Sequence, residues 1–356
     1  MAMNEGTTGT LAEAYDRFRR TGPEWGEDQL TNHGPMAAEV LVRRGRADVV
    51  ERWVGSYIRR LDDLPAAGDP ITEENWMSAL GDGRRIGDWS AYFERQVREQ
   101  PWRDVVVTWW PRLLPGIVAG TTHGVIRVGH AVRALVEDGV EGPAALTELA
   151  HGLAFWAARA LRVPGVHDLS GGLRPGAALD AVARIPDQTG NVRSRFGQLA
   201  KLPEWPSSVS ALRGPSGPDD VRTLLTELVT AATLHYLTHG HASPVLLVHT
   251  ATAPNAVLHT LPVLPYELWA PSLTAIWATS AAIVSAYAPA EAAPRAVLPV
   301  APVAEDPVEE VLDRAVAHGD EHVIKFTDTA ADVYRWTGEP DALAAALRIG
   351  TLIGRP

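Results

Sequence analysis

The stretch "DEHVIKFTDTAADVYRW", residues 320–336, decides the fold class. At 100° per residue, Val323, Phe326, Ala330 and Val333 fall on one narrow stripe, with polar residues around the rest of the circle. A strand would alternate every second residue, and this segment does not. The same period recurs in "TLAEAYDRFRR" (10–20), where Leu11, Ala14, Tyr15 and Phe18 share a face. It recurs in "AAEVLVRRGRADVVERWVGSYIRRL" (37–61), with Gly45 as a break, and in "WSAYFERQVREQPW" (89–102). "GPAALTELAHGLAFWAARAL" (142–161) and "DPVEEVLDRAVAHG" (306–319) continue it, the latter opening on an Asp306-Pro307 cap. Period-two alternation is scarce, so an all-α protein is expected. One stretch differs: 163–220 is rich in Gly, Pro and Ser and poor in periodic apolar residues. Helical segments lie on both sides of it. The expectation is therefore a single large helical domain over 1–356, with 163–220 as an irregular lid or binding loop.

The bulk composition narrows the function. Apolar residues make up 46% and charged residues 21% of the 356 positions, the balance of an ordinary globular chain. The net charge of −11 argues against nucleic acid, whose phosphates require a basic face. Cysteine is absent, which excludes disulfides, thiolate ligands and a cysteine nucleophile. "MAMNEGTTGTLAEAYDRF" (1–18) lacks the basic and apolar regions of a secretory signal. The longest apolar run, "LTAIWATSAAIVSAYA" (273–288), is Ala-rich and reads as a buried helix rather than a membrane span. A cytoplasmic protein with no membrane partner is expected.

Histidine and lysine carry the chemical information. Only Lys201 and Lys325 are lysine among 32 basic residues. A GC-rich codon bias accounts for most of that imbalance. Lys325 nonetheless sits three residues after His322 at the edge of the apolar stripe, so both can aim at one point. The alternative is a snorkelling lysine with its head in water. On "TTHGVIRVGHAVRAL" (121–135), His123, Ile126, Arg127 and His130 share a face. Two turns separate the histidines, about 10 Å, which makes joint ligation of one metal awkward. Glu148 and His151 stand at the i, i+3 spacing of carboxylate-bundle metal sites, in a single copy. His33 opens a helix behind Asn32, and His249 lies in an almost wholly apolar run where its imidazole requires a partner. "HYLTHGH" (235–241) holds an i, i+4 histidine pair and reads as a surface helix end, with a metal patch as its rival reading. No Gly-rich dinucleotide loop, P-loop, H-E-x-x-H or G-x-S-x-G is present.

Seven segments together, "NHGPMAAEVL", "NWMSALGDGRRIGDW", "PWRDVVVTWWPRLLPG", "AGTTHGVIRVGHAVRAL", "ELAHGLAFWAAR", "VHTATAP" and "DEHVIKFTD", resemble the questin oxidase family. The resemblance runs over nearly the whole chain. It implies a mainly helical fold and an oxygenase that opens the quinone ring of anthraquinones, formally Baeyer–Villiger chemistry. It also implies a non-haem Fe(II) held by histidines and a carboxylated lysine. Carried onto the matching motifs, the metal ligands are His33, His123, His249, His322 and Lys325, with His130 and His151 as first substitutes. A neutral lysine amine adds carbon dioxide to become an anionic oxygen ligand, whereas arginine stays protonated. Arg127 is a candidate to orient an acidic phenol or an oxyanion, its alternative being a salt bridge; His130 and His151 join it as catalytic candidates. Trp76, Trp89 and Trp156 are candidate walls for a flat aromatic polyketide, with O2 as co-substrate. Electrons come from the substrate itself or from NADPH delivered by a partner, and a homodimer is compatible with the sequence. Two other classes remain open: a zinc-type hydrolase or lyase using a carbamylated lysine, and a non-catalytic helical protein that binds an aromatic metabolite.

Overall fold

Local capping chemistry sets the helix boundaries. Asp306 opens one helix by accepting hydrogen bonds from the Val308 and Glu309 amides, with Pro307 supplying the preset φ of its first turn. Gly319 closes it at φ 86°, a left-handed conformation that glycine adopts without a Cβ penalty. Asp320 then opens the next helix, its Oδ1 accepting from the His322 and Val323 amides at 2.8 and 3.2 Å. Residues 5–136 and 142–356 are described by the computed structural model. The first four residues of the segment read for a signal lie outside them. Among the described residues the only sheet is a two-stranded antiparallel pair, β1 (Glu24–Trp25) and β2 (Leu30–Thr31), and the rest of the regular structure is helical. The all-α expectation holds.

The chain forms two compact units. Unit 1 comprises Met1–Arg162 and His259–Pro265. Its helices are α1 (Glu5–Phe18), α2 (Gly34–Arg43), α3 (Ala47–Tyr57), α4 (Trp76–Ala79), α5 (Ile86–Glu99), α6 (Trp102–Leu113), α7 (His123–Val136) and α8 (Pro143–Ala158). α8 packs against α5 and α7, and α2 against α1, α3 and α7. The approach of α7 to α8 depends on Gly124: a Cβ there would lie 2.7 Å from the Trp156 Cα.

Unit 2 comprises Val163–Leu258 and Tyr266–Pro356. It contains α9 (Pro175–Asp180), α10 (Val192–Leu199), α11 (Trp205–Ser210), α12 (Pro218–His239), α13 (Pro244–Leu247), most of α14 (His249–Thr260), α15 (Trp269–Tyr287), α16 (Pro307–His318), α17 (Glu321–Thr337) and α18 (Pro340–Leu352). α17 and α18 pack together and both meet α12. The stripe read from residues 320–336 is the buried face of α17, with Phe326, Ala330 and Val333 at 0% exposure. α15 is the apolar run foreseen as a core helix; it is long and apolar enough to cross a membrane, yet 72% of its apolar window is buried inside the protein.

The 163–220 stretch is more ordered than an irregular lid. It forms three short helices and pairs Gly171 with Arg213 and Leu173 with Leu212 in parallel bridges. The buried Trp205 indole donates to the Pro164 carbonyl at 2.8 Å, and Trp277 of α15 donates to Val209 at 2.8 Å. These bonds tie the stretch to the core of unit 2. Short helices of six to eight residues carry too little periodicity to be read from sequence.

Candidate metal centre

In unit 1, the chain turns from β2 into α2 at Asn32 and His33. The buried Asn32 side chain donates to Thr21 Oγ1 and to the Gly22 carbonyl, both at 3.0 Å, and accepts from the Gly34 amide at 2.9 Å. The turn is thereby fixed, with the His33 amide donating to the Tyr57 hydroxyl at 2.8 Å. His123 begins α7 after Gly120, Thr121 and Thr122, at φ 54°, 55° and 71°. Left-handed φ at two consecutive β-branched residues is a strained arrangement that persists only where surrounding structure enforces it. His123 Nδ1 contacts the Gly120 carbonyl and lies 3.4 Å from Thr31 Oγ1. A carbonyl only accepts, so Nδ1 carries the proton and the lone pair sits on Nε2. The His33 and His123 rings meet edge to face with centroids 4.5 Å apart, although 90 positions separate them in sequence.

Three further candidates in unit 1 are held by charges. The Arg127 guanidinium forms a buried bidentate pair with Glu148, at 2.5 and 2.7 Å. Its salt-bridge alternative is therefore the arrangement found. His151 Nε2 lies 2.9 Å from Glu94, so Glu148 and His151 serve different partners and do not form a carboxylate–histidine metal pair. His130 Nδ1 lies 2.7 Å from Glu39 Oε2, and Arg133 donates to both oxygens of the same carboxylate at 2.8 and 2.5 Å. Arg133 Nη1 also lies 3.2 Å from His259 Nε2. Burial alone would push the Glu39 carboxyl up; Arg133 and His130 outweigh it and hold it down to about 2. This clamp joins the helix that begins at His33 to the helix that begins at His123. Sequence reasoning missed Glu39, although it stands in the "NHGPMAAEVL" motif. The available clue was an acid in the middle of an otherwise apolar helix.

The tryptophans serve the core of unit 1. Trp89 and Trp156 are at 0% exposure. Trp89 packs against Tyr92, Phe93 and Trp109, and Trp156 against Trp110. Trp76 meets Trp109 edge to face, with the Arg112 guanidinium over its ring. Those rings are occupied by one another, which fits packing rather than the lining of a substrate pocket.

In unit 2, α14 begins at His249 and α17 carries His322 and Lys325. Lys325 is 3% exposed, which rules out the snorkelling alternative. Burial pushes its amine down to about 7, against the opposing pull of Glu321 and Asp320. His249 is 1% exposed and held near 3, first by burial and then by the neighbouring charges of Lys325 and His322. The three candidates of this unit are thus electrostatic neighbours. His249 Nδ1 lies 3.0 Å from the Leu246 carbonyl, so its lone pair also sits on Nε2. His322 Nδ1 lies 3.3 Å from Asp320 Oδ1. Asp320 therefore caps α17 and orients the imidazole two positions on. Ligand atoms of Asp320, Glu321 and His322 all lie within 4.8 Å of one another.

His123 and His249 repeat one device: Nδ1 is satisfied by a carbonyl three residues earlier, and Nε2 points its lone pair outward. Such anchoring is characteristic of metal-ligating histidine. A neutral buried amine beside two such groups is also the form that adds carbon dioxide. The donor set fits a divalent transition metal with nitrogen and oxygen ligands.

Residues 47–140 match the family model described as Questin oxidase-like. The match covers α3 through the end of α7 and supports the resemblance carried by the motifs. No curated protein matches the chain.

Proposed function

We propose that this protein is a non-haem iron-dependent oxygenase that opens or oxygenates a ring of a polycyclic aromatic polyketide such as an anthraquinone. The oxidoreductase class follows from the family match; the iron, its ligands and the substrate are the proposal. His33 and His123 from unit 1, and His249, His322 and carboxylated Lys325 from unit 2, are its ligands. The observation that carries this reading is the full burial of Lys325 beside His249 and His322. A buried lysine with a partly neutral amine is costly unless the site uses it. When bound, Fe(II) supplies the means of activating dioxygen at neutral pH.

The protein residues have separate tasks. The Lys325 nitrogen forms a bond to the carbon of CO2 and loses one proton to solvent, which gives a carbamate anion. The Gly120 and Leu246 carbonyls hold His123 and His249 in the Nε2 lone-pair tautomer. Asp320 does the same for His322. Glu39, with His130 and Arg133, fixes the helices from which His33 and His123 project. Arg127 and Glu148 join α7 to α8. An anthrone or hydroquinone substrate brings its own electrons; a quinone requires NADPH through a partner.

Protein purified without a histidine tag tests the reading directly. The expected result is one iron per chain, oxygen uptake with an anthraquinone or anthrone, and a carbamate carbon resonance after exposure to 13C-labelled CO2. Lys325→Arg should lose the resonance and the iron while its circular dichroism stays unchanged. Stoichiometric zinc without oxygen uptake would favour a hydrolase or lyase; full iron and turnover in Lys325→Arg would remove the carbamate.

A further inference from the structure

A second histidine pair lies on α12 in unit 2. His235 and His239 stand one helical turn apart with their rings stacked, centroids 3.9 Å apart and planes within 3°. They face a cleft of about 590 Å³ whose other wall is α9, through Pro175, Leu179 and Asp180. The surface helix end expected from "HYLTHGH" is therefore the inner wall of a cleft, and His235 is only 8% exposed.

The two imidazoles are prepared unequally. Thr238 Oγ1 donates to the His235 carbonyl at 3.2 Å, so its oxygen is left to accept from His239 Nδ1 at 2.7 Å. His239 Nδ1 also lies 3.3 Å from the His235 carbonyl. Both contacts place the proton on Nδ1 and the lone pair on Nε2. The His235 imidazole makes no hydrogen bond to any described residue, an expensive condition for a polar ring more than nine-tenths buried. Something outside the described protein atoms is needed to satisfy it.

We propose that His235 and His239 chelate a borderline divalent cation of the Zn2+ or Cu2+ class at the cleft, with Asp180 as the nearby carboxylate. Stacked imidazoles at i, i+4 present their lone pairs to one position, and nitrogen donors select this class of ion over Mg2+ or Ca2+. Burial keeps both rings neutral at pH 7, His235 near 3, so no proton has to be displaced. The charges around the pair are mixed. Asp180 favours positive charge at His239, while Arg184 opposes it at both rings and His241 opposes it at His239. The Arg184 guanidinium is engaged with the Val182 carbonyl. An exchangeable site follows, distinct in residues and in unit-2 helices from the centre proposed above.

Equilibrium dialysis against Zn2+, with iron content measured on the same samples, tests the site. His239→Ala removes one arm of the chelate and should weaken one class of zinc binding by roughly a hundredfold. Thr238→Val keeps the shape, releases the tautomer and should weaken it by about tenfold. Iron content should stay unchanged in both. The same comparison in a His322→Ala background separates this site from the iron centre, whatever metal that centre holds. If the substitution of His235 destabilises the fold, His239→Ala and Thr238→Val still decide. Zinc binding identical to wild type in His239→Ala and in His235→Gln, in either background, would overturn the proposal.

Discussion

Glu39→Gln isolates the energy of the buried clamp in unit 1. The substitution keeps the size of the side chain and one acceptor oxygen, but removes the charge that faces Arg133 and His130. Glu39 is at 0% and Arg133 at 1% exposure, so solvent does not screen the change. Breaking a buried pair by removing one partner costs about 3–5 kcal/mol, because the remaining charge is left uncompensated. The carboxyl itself gives an independent figure. Held at about 2 against an ordinary value of 4.5, it contributes roughly 3 kcal/mol at neutral pH. The folded value is depressed, so this stability is present above pH 4.5 and is lost as pH falls towards 2. Urea unfolding at pH 7 should show a lower midpoint at an unchanged slope, equivalent to roughly 3 kcal/mol. Between pH 5 and 3 the wild type should lose stability faster than the variant, and the gap between them should narrow. A loss below about 1 kcal/mol at pH 7, with parallel pH dependences, would refute the clamp as an energetic unit.

Other outcomes follow from the same geometry. Arg127→Met should destabilise unit 1 by about 3–5 kcal/mol, whereas the double variant Arg127→Met, Glu148→Leu should recover most of it; a double variant that folds, binds iron and turns over normally would show that Arg127 has no contact with substrate. Thr121→Gly should raise stability by about 1 kcal/mol in a urea titration by releasing the left-handed strain, and a loss of stability would mean the strain is not real. Trp277→Phe, which deletes the bond to Val209, should cost about 1 kcal/mol and increase proteolysis within 163–220; unchanged cleavage there would count against that anchor. His249→Ala should empty the iron centre and leave unit 1 unfolding unchanged by calorimetry.

The helical fold was legible because its long amphipathic helices carry a period that no strand imitates. The stripe on α17 and the caps at Asp306 and Asp320 are direct examples. Buried charge was less visible. Arg127 and Glu148 lie 21 residues apart, and nothing in the sequence says that one answers the other. The same holds for Glu39 and Arg133, so the charges around His130 looked like open chemistry when they are mutually satisfied. Lys325 was legible through its spacing from His322, but its burial depends on helices distant in sequence. The left-handed run before His123 gave no warning either, since threonine is not a residue that announces such a backbone. The rival reading of "HYLTHGH" had to wait for α9, whose six residues hold too little pattern to be placed beside α12 in advance.

Glu39 and Arg133 stand 94 positions apart, and this separation has a kinetic side. Closing a loop of that length costs about 4 kcal/mol of chain entropy before a single contact compensates it. Neighbouring helices form on a far shorter timescale. The clamp therefore closes late, after the rate-limiting barrier, and His33 and His123 meet at the same stage. Loss of the Glu39 charge should accordingly appear in the unfolding limb of a chevron, while the folding limb stays where it was. The lifetime of the native state, more than the speed of its formation, rests on this one carboxylate.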